Sequence, residues 1–205
     1  MGRIACIAMG GKMVRRICGN GLIVMVLAAA IMLPGMVRGA EFDVSKFNQE
    51  VGLRFAYGKN TKTANVQLYS LLPRWGIFFL KPGKQMGPFG ASFVVEGIAS
   101  IASADTTGFE LGFTPLLKIS CLLFPSVLAF VEGGAGIIAE SIDSPALAHV
   151  FNFTPQVGAG FDFALTPQTA LTVAYRFRHS SNAGIAEPNP AFNVNFFQCG
   201  VNYYY

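Results

Sequence analysis

Polar side chains stand where an otherwise apolar pattern leads the eye to expect none: a His, a Ser and two Asn. His179 and Ser181 are two positions apart, so on an extended strand they share a face. Leu171, Val173, Tyr175 and Phe177 run up to them with the same odd parity. Asn193 and Asn195 have the parity of Phe197, Cys199 and Val201 in the next apolar run. Antiparallel neighbours bring such positions side by side. A hydroxyl beside an imidazole is the arrangement of serine hydrolases, in which the imidazole takes the proton as the oxygen attacks an ester carbonyl. Nearby Asn and Gly residues are candidate donors to the oxyanion. On an apolar outer face, the substrate of such a group approaches sideways, from a bilayer. The plainer alternative is a polar cluster at headgroup level, where polar side chains cost little.

The elements that must carry these residues are strands. Past residue 40 the recurring pattern is alternation of period two. Val51, Leu53, Phe55 and Tyr57 alternate with Gly52, Arg54, Ala56 and Gly58. Phe151, Phe153, Val157, Ala159, Phe161, Phe163 and Leu165 alternate with smaller or polar residues. One face is large and apolar, and the other is small, polar or charged. An eight-stranded barrel has an interior just wide enough for side chains. Glycine, alanine and ion pairs fit there, whereas rows of Phe suit lipid. Arg54, Glu96, Glu110, Glu132, Asp162, Arg176 and Arg178 are therefore expected to form an internal network of both signs. A soluble lipocalin-like barrel is the alternative, with its apolar face turned inward. The last strand ends on Tyr205, preceded at every second position by Tyr203, Val201, Cys199 and Phe197. That terminus looks like the assembly signal of bacterial outer-membrane barrels. Its tyrosines suit an interfacial girdle.

The length of 40–205 suits eight antiparallel strands of about ten residues each. Their expected centres lie near residues 54, 69, 94, 112, 131, 158, 175 and 199. Turn chemistry marks loops at Lys59–Thr63, Lys81–Pro88, Ala102–Gly108, Ser141–Pro145 and Asn182–Pro190.

The 205-residue chain is 52% apolar and only 13% charged, against about a quarter charged for a soluble domain. Its formal charge of +4 is unevenly spread. Arg3, Lys12, Arg15, Arg16 and Arg38 lie in the first forty residues, which hold no acid, so the remainder is close to neutral. A basic nucleic-acid footprint is excluded on that ground. Lys12, Arg15 and Arg16 precede the apolar run Leu22–Leu33, and the small residues Gly39 and Ala40 follow. This is the layout of a signal peptide over 1–39, cleaved after Gly39 and followed by the barrel domain, 40–205. An uncleaved anchor is the alternative, but the run is shorter than the roughly 20 residues of a membrane helix. Met13 is a second candidate start. Cys121 and Cys199 remain in the mature chain, and nothing requires them to pair. No Cys or His spacing suggests a metal, and His149 is isolated.

The run His179-Ser180-Ser181-Asn182-Ala183-Gly184, followed by Pro188-Asn189-Pro190, resembles the signature of the lipid A 3-O-deacylase (PagL-like, or acyloxyacyl hydrolase) family. Arg176, Phe177 and Arg178 before it fit as well. The resemblance is strongest over about 175–195, and the leader, strand count and aromatic terminus extend it across the chain. It implies an eight-stranded transmembrane barrel in the bacterial outer membrane, with its site on the lipid-facing exterior. It implies Ser181 as nucleophile, His179 as general base, and Asn182 (side chain) and Gly184 (backbone N–H) as the oxyanion hole. The implied substrate is lipid A, the anchor of lipopolysaccharide, cut at the ester of the 3-position acyl chain. No cofactor is implied. Whether the barrel works alone or as a homodimer is open.

One position departs from the family pattern. Where the family carries a triad glutamate, this chain has Asn193, and Ala191 replaces the Gly before it. An Asn orients a His but brings no charge to the imidazolium. Glu187 is the acid available in the loop as a substitute. Ser180 is a rival nucleophile whose parity points it inward. The competing function is therefore a catalytically weak or non-enzymatic outer-membrane barrel of the same fold. A channel or adhesin is a third class, disfavoured by mixed lumen charges and loops of moderate length.

Overall fold

Odd-numbered side chains face outward in every strand of the barrel. The computed structural model describes residues 41–61, 66–103, 107–142, 150–187, 189 and 192–205. The expected leader over 1–39, His149, Pro188, Pro190 and Ala191 lie outside these residues. The strands are β1 (Gln49–Asn60), β2 (Gln67–Leu80), β3 (Phe89–Ser103), β4 (Thr107–Phe124), β5 (Val127–Glu140), β6 (Phe151–Ala164), β7 (Thr169–Ser180) and β8 (Phe192–Tyr204). Each pairs antiparallel with its neighbours, and β8 closes on β1, with Arg54 opposite Gly200. Closure leaves no unpaired strand edge, the condition for crossing a bilayer with strands.

The outer surface is greasy. Phe55 is 67% exposed, and Phe79, Phe93, Phe109, Leu111, Phe113 and Phe197 are exposed with it. Inside, Arg54, Arg74, Lys118, Arg176 and Arg178 are buried with Glu50, Glu96, Glu110, Glu132, Glu140 and Asp162. The lipocalin-like alternative is thereby removed, because a soluble barrel would have the reverse polarity. Glycine makes room for these long side chains: a Cβ on Gly200 would lie 2.9 Å from Arg54 Cγ, and one on Gly76 3.0 Å from Glu50 Cγ.

The expected network is present and larger than its sequence outline. Glu132 accepts from Arg54 at 2.8 Å and from Arg74 at 2.8 Å, and it also pairs with Arg176. Arg74 and Arg176 share Glu96. Lys118 bridges Glu50 at 2.8 Å and Asp162 at 3.2 Å, and Arg178 holds Glu110 at 2.6 Å. Removing one partner of a buried pair strands the other charge, at about 3–5 kcal/mol. Glu132→Ala leaves Arg54 without a carboxylate and takes one of two from Arg74 and Arg176, which keep Glu96, and is expected to cost about that much. Unfolding in detergent should show a clearly lowered midpoint, and an unchanged midpoint would contradict the assignment.

Apolar clusters cap the network at both ends. Phe42 and Val44, beside a short 3₁₀ turn over Val44–Lys46, pack with Phe78, Leu128, Ala164, Ala170 and Tyr204 at the end where β8 finishes. Leu68, Leu72, Ile98, Ile138, Phe192, Val194 and Phe196 fill the other end. These clusters explain why alternation weakens in β2 to β5: inward positions there are apolar too. As a result, those strands are centred several residues later than their sequence centres. Two tight turns also escape the sequence reading, at Pro125–Ser126 and at Leu165–Gln168. The first splits the apolar stretch Pro115–Val131. Cys121 and Cys199 are both free.

Candidate active site

The connections at the two ends of the barrel differ. On the end with Tyr205, β2 joins β3 through eight residues (81–88), β4 joins β5 through two and β6 joins β7 through four. On the other end, β5 to β6 spans 141–150 and β7 to β8 spans 181–191. Outer-membrane barrels keep short turns on the periplasmic side and longer loops outside. By that rule, the 181–191 loop lies on the outer side.

His179 is the second-last residue of β7, and Asn193 is the second of β8. Their Cα atoms are register partners, so their outward side chains meet. His179 Nδ1 lies 2.6 Å from Asn193 Oδ1. An amide oxygen only accepts, so the proton of this bond belongs to Nδ1. Nε2 is then left with a free lone pair, the tautomer a general base requires. Both side chains are half-buried on the lipid-facing surface.

Ser181 follows β7 directly and extends it by one bridge to β6. Its N–H donates to Phe153 O at 3.1 Å, and Phe153 N–H donates to Ser181 O at 2.8 Å. The bridge holds Ser181 in the extended parity of His179, on the same outer face. Among the described residues, no hydrogen bond joins the Ser181 hydroxyl to His179. Catalytic hydrogen bonds are often open before substrate arrives. Ser180 is fully buried and faces the lumen, away from lipid.

The next four residues form a reversed turn. Ile185 N–H donates to Asn182 O at 3.2 Å, and Ala183 (φ 57°) and Gly184 (φ 77°) are both left-handed. Two left-handed central residues define a type I′ turn. Gly184 accepts that conformation freely, whereas Ala183 is strained by it. Asn182, only 4% exposed, organises the loop. Its Oδ1 accepts from Gly184 N–H at 2.8 Å, its Nδ2 donates to Ala186 O at 2.7 Å, and its own N–H donates to Asn189 Oδ1 at 3.1 Å. The donors at Asn182 and Gly184 are thus together in space and engaged with the loop itself. Glu187 is exposed and accepts from Asn189 N–H at 3.2 Å, and among the described residues no hydrogen bond or ion pair joins it to His179. The Phe153 bridge had no sequence signal, because register between β6 and β7 is not written in either strand alone.

A strand-borne hydroxyl, a correctly protonated imidazole and an amide partner on a lipid-facing wall suit hydrolysis of a lipid ester. The family model described as "Lipid A 3-O-deacylase (PagL)" matches residues 49–202. Among solved structures, the outer membrane enzyme PagL is 21% identical, covers 74% of this chain and 98% of its own, and has a TM-score of 0.59. Neisserial surface protein A is 13% identical, with 78% of this chain and 97% of its own covered and a TM-score of 0.50. At these identities the two likenesses are of fold. No curated protein matches the sequence. The family match spans seven of the eight strands entirely and nearly all of β8 besides, and the chain belongs to the lipid A 3-O-deacylase (PagL) family.

Proposed function

We propose that this outer-membrane barrel removes the 3-position acyl chain of lipid A with Ser181, His179 and Asn193, after residues 1–39 have been removed as a leader. The Ser181 Oγ attacks the ester carbonyl while its proton passes to His179 Nε2. Asn193 holds the other ring nitrogen. The tetrahedral intermediate collapses as His179 returns the proton to the departing sugar oxygen. Water then hydrolyses the acyl-serine by the same route in reverse. Lipid enters laterally, which suits a site on the outer wall near the loop end of the barrel. All the residues invoked come from one chain, so the scheme needs no second copy.

Asn182 and Gly184 serve as oxyanion donors after a small loop rearrangement. Asn182 Oδ1 releases Gly184 N–H, and Nδ2 leaves Ala186 O. Ala183 strain lowers the cost of that release. The observation that carries the reading is the His179–Asn193 contact, one strand step from Ser181 on the lipid-facing side.

The test is a mass spectrum of lipid A from cells expressing the chain. The expected species has lost one ester-linked acyl chain. Lipid A of unchanged mass overturns the reading. A second reading rests on the amide at Asn193: without a carboxylate, the barrel is a silent member of its family.

A further inference from the structure

Lys59 is the odd residue on the lipid-facing wall. It lies at the loop end of β1, with Gln67 and Asn195 as its register partners on either side. Two residues on, Thr61 N–H donates to Asn193 O at 3.0 Å, so this end of β1 is bonded to the backbone of the site itself. From strand spacing and rise, the Lys59 and Asn193 Cα atoms are about 8 Å apart. A lysine side chain spans most of that distance. Among the described residues, Lys59 is the sole Lys or Arg on the outer surface of this end. Arg54, Arg74, Lys118, Arg176 and Arg178 point into the lumen, and Lys46, Lys81 and Lys84 lie at the opposite end. Lys59 is exposed, and no described carboxylate pairs with it.

We propose that Lys59 binds a phosphate of the lipid A headgroup and so seats the 3-position ester over Ser181. The proposal rests on the deacylase reading above. An ammonium facing lipid near the interface needs a counter-charge, and lipid A carries one on the sugar whose ester is cut. The long lysine stem lies along apolar surface while its head reaches headgroup level. A lysine that merely anchors the barrel at the interface would affect insertion or stability. It would not distinguish phosphorylated from dephosphorylated substrate.

The measurement is steady-state hydrolysis in non-ionic micelles, with phosphorylated and chemically dephosphorylated lipid A compared. Lys59→Gln should raise KM for the phosphorylated substrate about fivefold, the worth of one cation against an anionic surface, and leave kcat unchanged. KM for the dephosphorylated substrate should not move, and Lys59→Arg should restore the phosphorylated value. Equal KM changes for both substrates, or none for either, overturn the proposal. A direct binding arm uses Ser181→Ala in zwitterionic nanodiscs, with and without Lys59→Gln. There the second change should weaken binding of phosphorylated lipid A alone, and less so at high salt. If wild type cleaves neither substrate, the deacylase reading fails, and this binding arm still judges Lys59: unchanged affinity overturns its role.

Discussion

Asn193→Glu raises lipid A deacylation by up to about 10⁴-fold, the factor that a serine triad loses when its acid becomes an amide. The amide at 193 already performs one of the acid's two tasks. It accepts from Nδ1–H and leaves Nε2 as the base. It brings no charge to the imidazolium that, in the proposed scheme, forms as Ser181 attacks. A carboxylate does, and in a site half shielded from water that charge is worth most. The glutamate side chain is one methylene longer, so Asn193→Asp is the companion variant: it keeps the length that gives 2.6 Å and adds the charge. Initial rates of fatty acid release should rank both acids above the parent. Equal or lower rates for both would mean that His179 does not act as the base. A gain from an otherwise silent parent would favour the second reading given above.

Loss of the nucleophile is the second large effect, and its size depends on residue 193. In a complete triad, removing the serine costs about 10⁶-fold in turnover. With the charge of the acid already missing, far less catalysis is left to lose, so Ser181→Ala is expected to cost about 10²-fold in the parent. In the Asn193→Glu background the same change should cost about 10⁶-fold. Such non-additivity is the mark of residues acting as one unit. Ser180→Ala is the control, since its hydroxyl lies in the lumen and should leave the rate unchanged. If Ser180→Ala rather than Ser181→Ala abolishes release, the nucleophile has been misassigned.

The mechanism also depends on the loop. Asn182 is bonded to three backbone or side-chain groups within 182–189, and two of those bonds occupy the donors proposed for the oxyanion. Ala183→Gly removes the left-handed strain and should loosen the drive to rearrange, with a modest fall in kcat and little change in barrel stability.

Local periodicity determined which way each side chain of 51–58, 151–165, 171–181 and 193–205 would point. Alternation depends on neighbours two residues away, and tertiary contacts seldom reverse it. Parity separated the greasy face from the charged one, and the narrow lumen of an eight-stranded barrel made the greasy face the outer one, with Ser180 inward and His179, Ser181 and Asn193 outward. The motif around Ser181 was equally legible, because its residues are contiguous.

Register belongs to pairs of strands and to the closed barrel as a whole. For that reason only the tertiary structure decided that His179 meets Asn193, that Phe153 pins Ser181, and that the end of β1 brings Lys59 near both. Arg74 and Lys118 escaped the expected network because they lie in β2 and β4, where alternation is weak, and Glu50 because it precedes the alternating run 51–58. The same dependence on the closed barrel blurred β2 to β5: the apolar plugs at the lumen ends erase alternation, and their purpose appears only once eight strands enclose a space to fill.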